Sequence, residues 1–366
     1  MITSQILCIT VSFITAFAAV LWLHPTMVDI ARKKGITDNP NKRKLQREPI
    51  PVLGGVAVFF GIIAGLGCAS RFYDCSDIVP IIAVLTLMLY TGTTDDIVGL
   101  TPKTRLLIEI IAVAVVIYIG GYSINNFHGL WGIYGLPVWI GIPLTLFAGV
   151  GIINSINLID GVDGLSSGFC ITACAIFGVF FWLSGDMTMA TIAAACIGAL
   201  VPFFYHNVFG KRQKMFIGDG GTLVMGMMMF LFVLRVLNID RFAALPAGAG
   251  DNFGLVPFTL AILAIPVFDT IKVMTVRIIH KTSPFSPDKK HLHHAFIERG
   301  FSHFATTISI LLLNLLIVAG WFAIYKSGYS VNAQLCFTVV AGLLFTTGIY
   351  SVAQVKAMSR IKNQKE

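Results

Sequence analysis

The chain has 366 residues, of which 56% are hydrophobic and only 12% charged, whereas soluble domains carry about 25% charged residues. With a mean hydropathy of +0.82, these proportions exclude a soluble enzyme, a coiled coil and a disulfide scaffold, and they indicate a polytopic membrane protein. The net charge of +8 does not call for nucleic acid, because membrane topology has first claim on Lys and Arg.

Apolar runs of the length a spanning helix needs, about 20 residues, fall at 3–23, 52–70, 78–94, 106–121, 137–155, 165–183, 187–205, 217–237, 253–271, 305–325 and 332–353. The first has no basic segment before it, and its bases follow at Arg32 to Arg47, so it reads as an uncleaved span with its N-terminus outside. Gly61 and Gly65 in the second are spaced for close helix packing in lipid. The seven Cys form no CxxC pair and sit mostly within apolar runs, as small packing residues do.

Eleven spans place loops 24–51, 95–105, 156–164, 206–216 and 272–304 and the tail 354–366 on one side. That side holds 22 of the 26 Lys and Arg; Arg71, Arg235, Arg241 and Lys326 are the other four. By the positive-inside rule the base-rich face is cytoplasmic, the N-terminus periplasmic and the C-terminus cytoplasmic. The expected fold is an all-α polytopic membrane protein of about 11 transmembrane helices, one domain over 1–366, with those five loops forming the functional face.

Acids at membrane depth are costly and mark function, and here Asp95, Asp96, Asp160, Asp163, Asp219 and Asp269 all fall at cytoplasmic span ends. Two adjacent carboxylates, Asp95-Asp96, make a local potential suited to a hard cation or a proton. In Asn154-Ser-Ile-Asn157-Leu-Ile-Asp160-Gly161-Val-Asp163-Gly164, oxygens recur every three residues beside flexible Gly and converge on one helix end. Phe216-Ile-Gly218-Asp219-Gly220-Gly221-Thr222 opens a span, where bare backbone and a helix N-terminus suit a phosphate while Asp219 suits Mg²⁺. His291-Leu-His293-His294, after Lys289-Lys290, gathers imidazole and ammonium donors for phosphoryl oxygens. A zinc reading of this last loop lacks Cys and the usual spacing.

Assembled in this order, the motifs resemble the polyprenyl-phosphate N-acetylhexosamine-1-phosphate transferase family, in particular its bacterial WecA/TagO-like branch. The resemblance extends over nearly the whole chain, with Asp38-Asn-Pro40-Asn41-Lys-Arg43-Lys44, Pro51, Gly54-Gly55, Ile265-Pro266 with Asp269, and Ser283 to His294 as further matching pieces. Gln46 stands where a His is common, Gly99 where a third acid is frequent, and Thr222 where Ser is usual.

The resemblance implies Mg²⁺ (or Mn²⁺) held by Asn157 and Asp219, with Asp95 and Asp96 as catalytic acids near the lipid phosphate. Asp160, Asp163, Arg43, Lys44, His291, His293 and His294 would contact substrate. It implies transfer of a sugar-1-phosphate, in the GlcNAc form suggested by the HxHH motif, from a UDP-N-acetylhexosamine to undecaprenyl phosphate with release of UMP. It further implies a bacterial inner-membrane location with a cytoplasmic site, an isoprenoid groove open to membrane lipid, a homodimer and no nucleic acid. Two other readings compete: a secondary transporter of an anionic solute, which would place acids nearer the midplane, and a non-catalytic subunit, which would have lost Asn157, Asp219 or the Asp pair.

Overall fold

The computed structural model describes residues 2–39, 48–72, 78–239, 249–283 and 290–348. In chain order it contains α1 (Ile2–Lys34), β1 (Thr37–Asp38), β2 (Ile50–Pro51), α2 (Gly54–Ala69), α3 (Ile78–Val98), α4 (Pro102–Gly120), α5 (Val138–Leu158) and α6 (Leu165–Leu183). There follow α7 (Met187–Phe209), α8 (Gly218–Leu237), α9 (Leu255–Ile262), α10 (Ala264–Ile279), α11 (Leu292–Ile297), α12 (His303–Lys326) and α13 (Val331–Leu343), which runs on into a π turn, Leu344–Gly348. β1 and β2 pair antiparallel, Thr37 with Pro51 and Asp38 with Ile50.

Among the described residues, eight helices are long and apolar enough to cross a membrane, and a ninth span results if α9 and α10 are taken together. Of the eleven expected spans, two fall short. Helix α2 has only 16 residues, about 24 Å at 1.5 Å per residue, and α4 carries Lys103, Arg105 and Glu109 in its first turns.

The expected span 253–271 is not one straight helix: it breaks at Leu263, with a bend of 78°. Pro266 has no N–H to offer the preceding turn, and its ring suits the first turn of a new helix. Asn314 of α12 satisfies the break, accepting from the Ile265 N–H at 3.0 Å and donating to the Ile262 carbonyl at 2.9 Å.

Helix α8 is the hub, buried over 89% of its spanning window against 22% for α1 and 28% for α12. Its Met, Phe, Leu and Val side chains, Met227 to Phe232 among them, pack on all sides, as a helix hydrophobic all round must. The helices alternate in sense. At one end of the bundle, Arg235 near the end of α8 bonds Asp186 before α7 at 2.6 Å and the Tyr122 hydroxyl after α4. At the other end, α3 and α5 finish and α8 and α12 start around a single cavity.

Candidate active site

Glycines let three backbones meet where the cavity begins. A Cβ on Gly92 of α3 would overlap the Asp219 backbone, and one on Gly55 of α2 would overlap Gly220 and Gly221. The Gly54 and Gly55 N–H groups donate to the Phe216 and Ile217 carbonyls at 3.0 and 2.7 Å, and Gly218, at φ +70°, turns the chain into α8. This close approach brings Asp96 against the first turn of α8. Its Oδ1 accepts from the Asp219 N–H at 2.9 Å and its Oδ2 from the Gly220 N–H at 3.1 Å. Those amides have no partner within the helix, and the helix dipole favours an anion there.

Asp219 is thereby aimed at the end of α5. Asn157 donates through its side-chain amide to Asp219 Oδ1 at 2.6 Å and to Thr222 Oγ1 at 2.7 Å. Both amide hydrogens are thus used, so the Asn157 side chain has only its carbonyl oxygen left to offer a ligand. Arg105 of α4 lies 3.5 Å from Asp219 Oδ2, 3.4 Å from Asp95 Oδ2 and 3.0 Å from Glu109 Oε1. Glu109 is fully buried and also takes a hydrogen bond from Asn154. Asp95 Oδ1 accepts the Leu100 N–H at 2.7 Å.

The turn between α5 and α6 supplies two carboxylates in different settings. Asp160 is bonded by Ser166, and its burial, with Ser166 as the only opposing influence, pushes its carboxyl up to about 7. Burial opposes ionisation at Asp163 too, but the His303 hydrogen bond and the Lys214 ammonium outweigh it and hold that carboxyl below the ordinary range. Lys214 Nζ lies 2.6 Å and His303 Nδ1 2.9 Å from Asp163 Oδ2. Asn207 fastens the turn to the α7–α8 segment, accepting from the Gly164 N–H at 2.6 Å and donating to the Met215 carbonyl at 2.9 Å.

The three imidazoles of the HxHH motif divide. His291 Nδ1 bonds the buried Asp269 at 2.9 Å, beside Lys272 at 2.6 Å, and the Leu292 N–H donates to the same carboxylate at 3.0 Å. This fastens α11 to α10. His293 is buried against Gly161, where a Cβ would meet its ring, and burial together with the charges of His294 and His291 keeps it well below the usual imidazole range. His294 lines the cavity.

The cavity has a volume of about 870 Å³, within the range of ligand sites. It brings together Asp95, Asp96, Asn157, Asp160, Asp163, Asp219 and His294, with residues from each of the five loops of the base-rich face on its wall. Arg43 and Lys44 lie outside the described residues, as does Gln46. Three residues that the motifs did not single out belong to the site: Arg105 and Lys214, which count only as topological charge in the sequence, and His303, which follows the HxHH motif.

All-oxygen donors at the start of α8 suit a hard cation. Among the described residues no three His, Cys, Asp or Glu converge into a complete cage; an ion such as Mg²⁺ held by Asp219 and Asn157 would complete its shell with water and substrate phosphates.

A helical membrane bundle with carboxylates, lysines and imidazoles around a cavity sunk into one end is built as an integral-membrane enzyme. Residues 78–237 match the model of glycosyl transferase family 4. A probable undecaprenyl-phosphate N-acetylglucosaminyl 1-phosphate transferase of Bacillus subtilis (strain 168) is 30% identical over 86% of this chain and 84% of its own length. The undecaprenyl-phosphate alpha-N-acetylglucosaminyl 1-phosphate transferase of Escherichia coli (strain K12) is 31% identical over 75% and 72%, and that of Escherichia coli O157:H7 29% identical over 86% and 84%. The chain belongs to glycosyl transferase family 4.

Proposed function

We propose that this protein transfers N-acetylglucosamine 1-phosphate from UDP-N-acetylglucosamine to undecaprenyl phosphate, releasing UMP and starting a lipid-linked cell-envelope polysaccharide. The relatives' shared activity supports the acceptor and the transferred group. One structural observation supports the chemistry: Asn157 spends its amide hydrogens on Asp219 and Thr222, which leaves its carbonyl oxygen as the atom it can offer a cation on the same cavity wall as the Asp219 carboxylate. A transporter would place its acids near the middle of the bundle, and here they line a cavity at one end.

In the reaction a phosphate oxygen of the lipid attacks the sugar-proximal phosphorus of the donor. The new P–O bond forms as the pyrophosphate P–O bond breaks, and UMP leaves with the electron pair. A phosphate monoester has a second pKa of about 6, so the acceptor is already largely dianionic at neutral pH and needs no obligatory base. Asp219 and Asn157 would hold Mg²⁺, which when bound would supply charge neutralisation for the phosphoryl oxygens. Asp96 sets the position of Asp219 through the α8 amides, and Arg105 balances Asp95 and Asp219. The base-rich loops around the cavity support a cytoplasmic site in a bacterial inner membrane.

The test is UMP release by purified protein from UDP-N-acetylglucosamine with undecaprenyl phosphate and Mg²⁺. Asp219→Asn should lower the rate by about 10²-fold or more, the cost of losing one placed electrostatic group, and omitting the lipid or chelating the metal should abolish release. Folded wild type that releases no UMP from any UDP-N-acetylhexosamine would end this reading.

A further inference from the structure

A second charged cluster on the cavity wall lies apart from the oxygen ligands of α8. Asp163, Lys214 and His303 come from three segments, the α5–α6 turn, the α7–α8 segment and the start of α12, and all three line the cavity. The junction is built rather than incidental. Lys214 Nζ and His303 Nδ1 share one oxygen of Asp163 at 2.6 and 2.9 Å, and Thr307 Oγ1 donates to the Asp163 carbonyl at 2.8 Å.

Lys214 and His303 nevertheless keep 30% and 35% of their side chains exposed, open to a ligand. His303 Nδ1 meets both the Asp163 carboxylate at 2.9 Å and the Asp163 N–H at 3.4 Å, so Asp163 engages Nδ1 and leaves Nε2 as the ring's remaining polar atom. Among the described residues Nε2 has no partner. Lys214 likewise has donors beyond the one that Asp163 takes. One carboxylate shared by an ammonium and an imidazole leaves donors on Lys214 to spare, and Arg32 and Lys211 line the same cavity.

We propose that His303 and Lys214 form an anion subsite that takes a phosphoryl oxygen of a bound substrate, with Asp163 as the positioning residue that orients the imidazole. With Nδ1 engaged by Asp163, Nε2 is the atom that would donate to a phosphoryl oxygen beside the Lys214 ammonium, whose bond to it is charge-assisted. The anion chemistry follows from the cluster, and only the identity of the phosphate rests on the transferase reading. That phosphate belongs either to the nucleotide or to the lipid acceptor, which share the same ester chemistry.

The test compares His303→Gln and Lys214→Met with wild type, each first checked by melting temperature. UMP release is followed with one substrate saturating and the other varied, together with product inhibition by UMP. The expected result is a KM raised about tenfold for one substrate, the cost of a charge-assisted hydrogen bond, with kcat changed less than about threefold. A purely structural role would instead lower kcat or the melting temperature without a selective KM effect.

A raised KM for UDP-N-acetylglucosamine with weakened UMP inhibition assigns the subsite to the nucleotide phosphate. A raised KM for undecaprenyl phosphate alone assigns it to the lipid. Wild-type values for both KM terms and for UMP inhibition in folded His303→Gln overturn the proposal, and the same values in Lys214→Met overturn it if His303→Gln does not fold. If wild type releases no UMP, the transferase reading fails on its own, and the subsite is judged by thermal stabilisation with UMP and with inorganic phosphate. Stabilisation of wild type that is lost in His303→Gln upholds it, and an equal or absent response in both overturns it.

Discussion

At the start of α8 three carboxylates, Asp95, Asp219 and Glu109, share the single guanidinium of Arg105, whereas at the α5–α6 turn the single carboxylate of Asp163 is shared by an ammonium and an imidazole. Both groups line or adjoin the same cavity, and both are tied down by hydrogen bonds from other helices. The first is short of positive charge and presents oxygen ligands, and the second has donors to spare. Two anions reacting with each other repel, and a site for them needs positive charge from more than one direction. On the proposed function the first region would gain it from a bound cation, and the second has the Lys214 ammonium among its own side chains. Net charge counted over the whole cavity would hide this division.

The largest effect should come from Asp96→Asn. Asn can match only one of the two backbone N–H groups that Asp96 now accepts, and it turns a donor toward the other. The start of α8 and Asp219 should shift, and a misplacement of about 1 Å costs about 10²-fold in rate. UMP release by Asp96→Asn should therefore fall further than by Asp95→Asn, whose carboxylate holds only the Leu100 N–H and Arg105. A larger loss at position 95 would reverse the roles assigned to the pair.

Next in size is Arg105→Gln. Removing the shared guanidinium leaves the buried Glu109 carboxylate uncompensated, at a cost of about 3 kcal/mol, so the melting temperature without divalent cation should drop. Saturating Mg²⁺ should then raise it by more than it raises wild type, since the cation takes over part of the lost balance. Equal Mg²⁺ shifts in the two proteins would remove the charge deficit from the first region.

Much of that first region is legible in the sequence, because carboxylates and amides at span ends are rare and fall in compact motifs. Asp95, Asp96, Asn157 and Asp219 meet because their segments alternate across the membrane, which the Lys and Arg count already indicates. The partner cations are not legible. Arg105 and Lys214 look like any topogenic base, and only packing shows that each faces an acid. His303 lies outside the HxHH motif, while His291 and His293, inside it, are buried as fasteners rather than on the cavity wall. The break at Leu263 escapes hydropathy because both halves are apolar, and its cause, Asn314 capping both sides, is some fifty residues away. The β1–β2 ribbon, at two residues per strand, is too short to leave a period.

The smallest predicted effect separates the two neighbours of the α5–α6 turn. Asp160 and Asp163 are three residues apart, yet the first is held up to about 7 and the second below its ordinary range. In the unfolded chain Asp160 releases its proton near 3.9, as an unperturbed Asp does. In the folded protein it keeps that proton to about pH 7. Between these values the folded state binds more protons, so stability falls as pH rises through the window, with no further loss above it. Asp160→Asn removes this slope and keeps an acceptor for Ser166. Its melting temperature should gain on wild type as pH rises from 5 to 7, by on the order of a few degrees, and the gap should be constant above about pH 8. Asp163→Asn should show the opposite sign in a lower window: its deficit against wild type should grow as pH rises to about 4, where Asp163 ionises in the unfolded chain, and stay constant above about pH 5. Parallel melting curves for wild type and Asp160→Asn across this range would mean that Asp160 is ionised throughout, and that burial does not divide the two carboxylates.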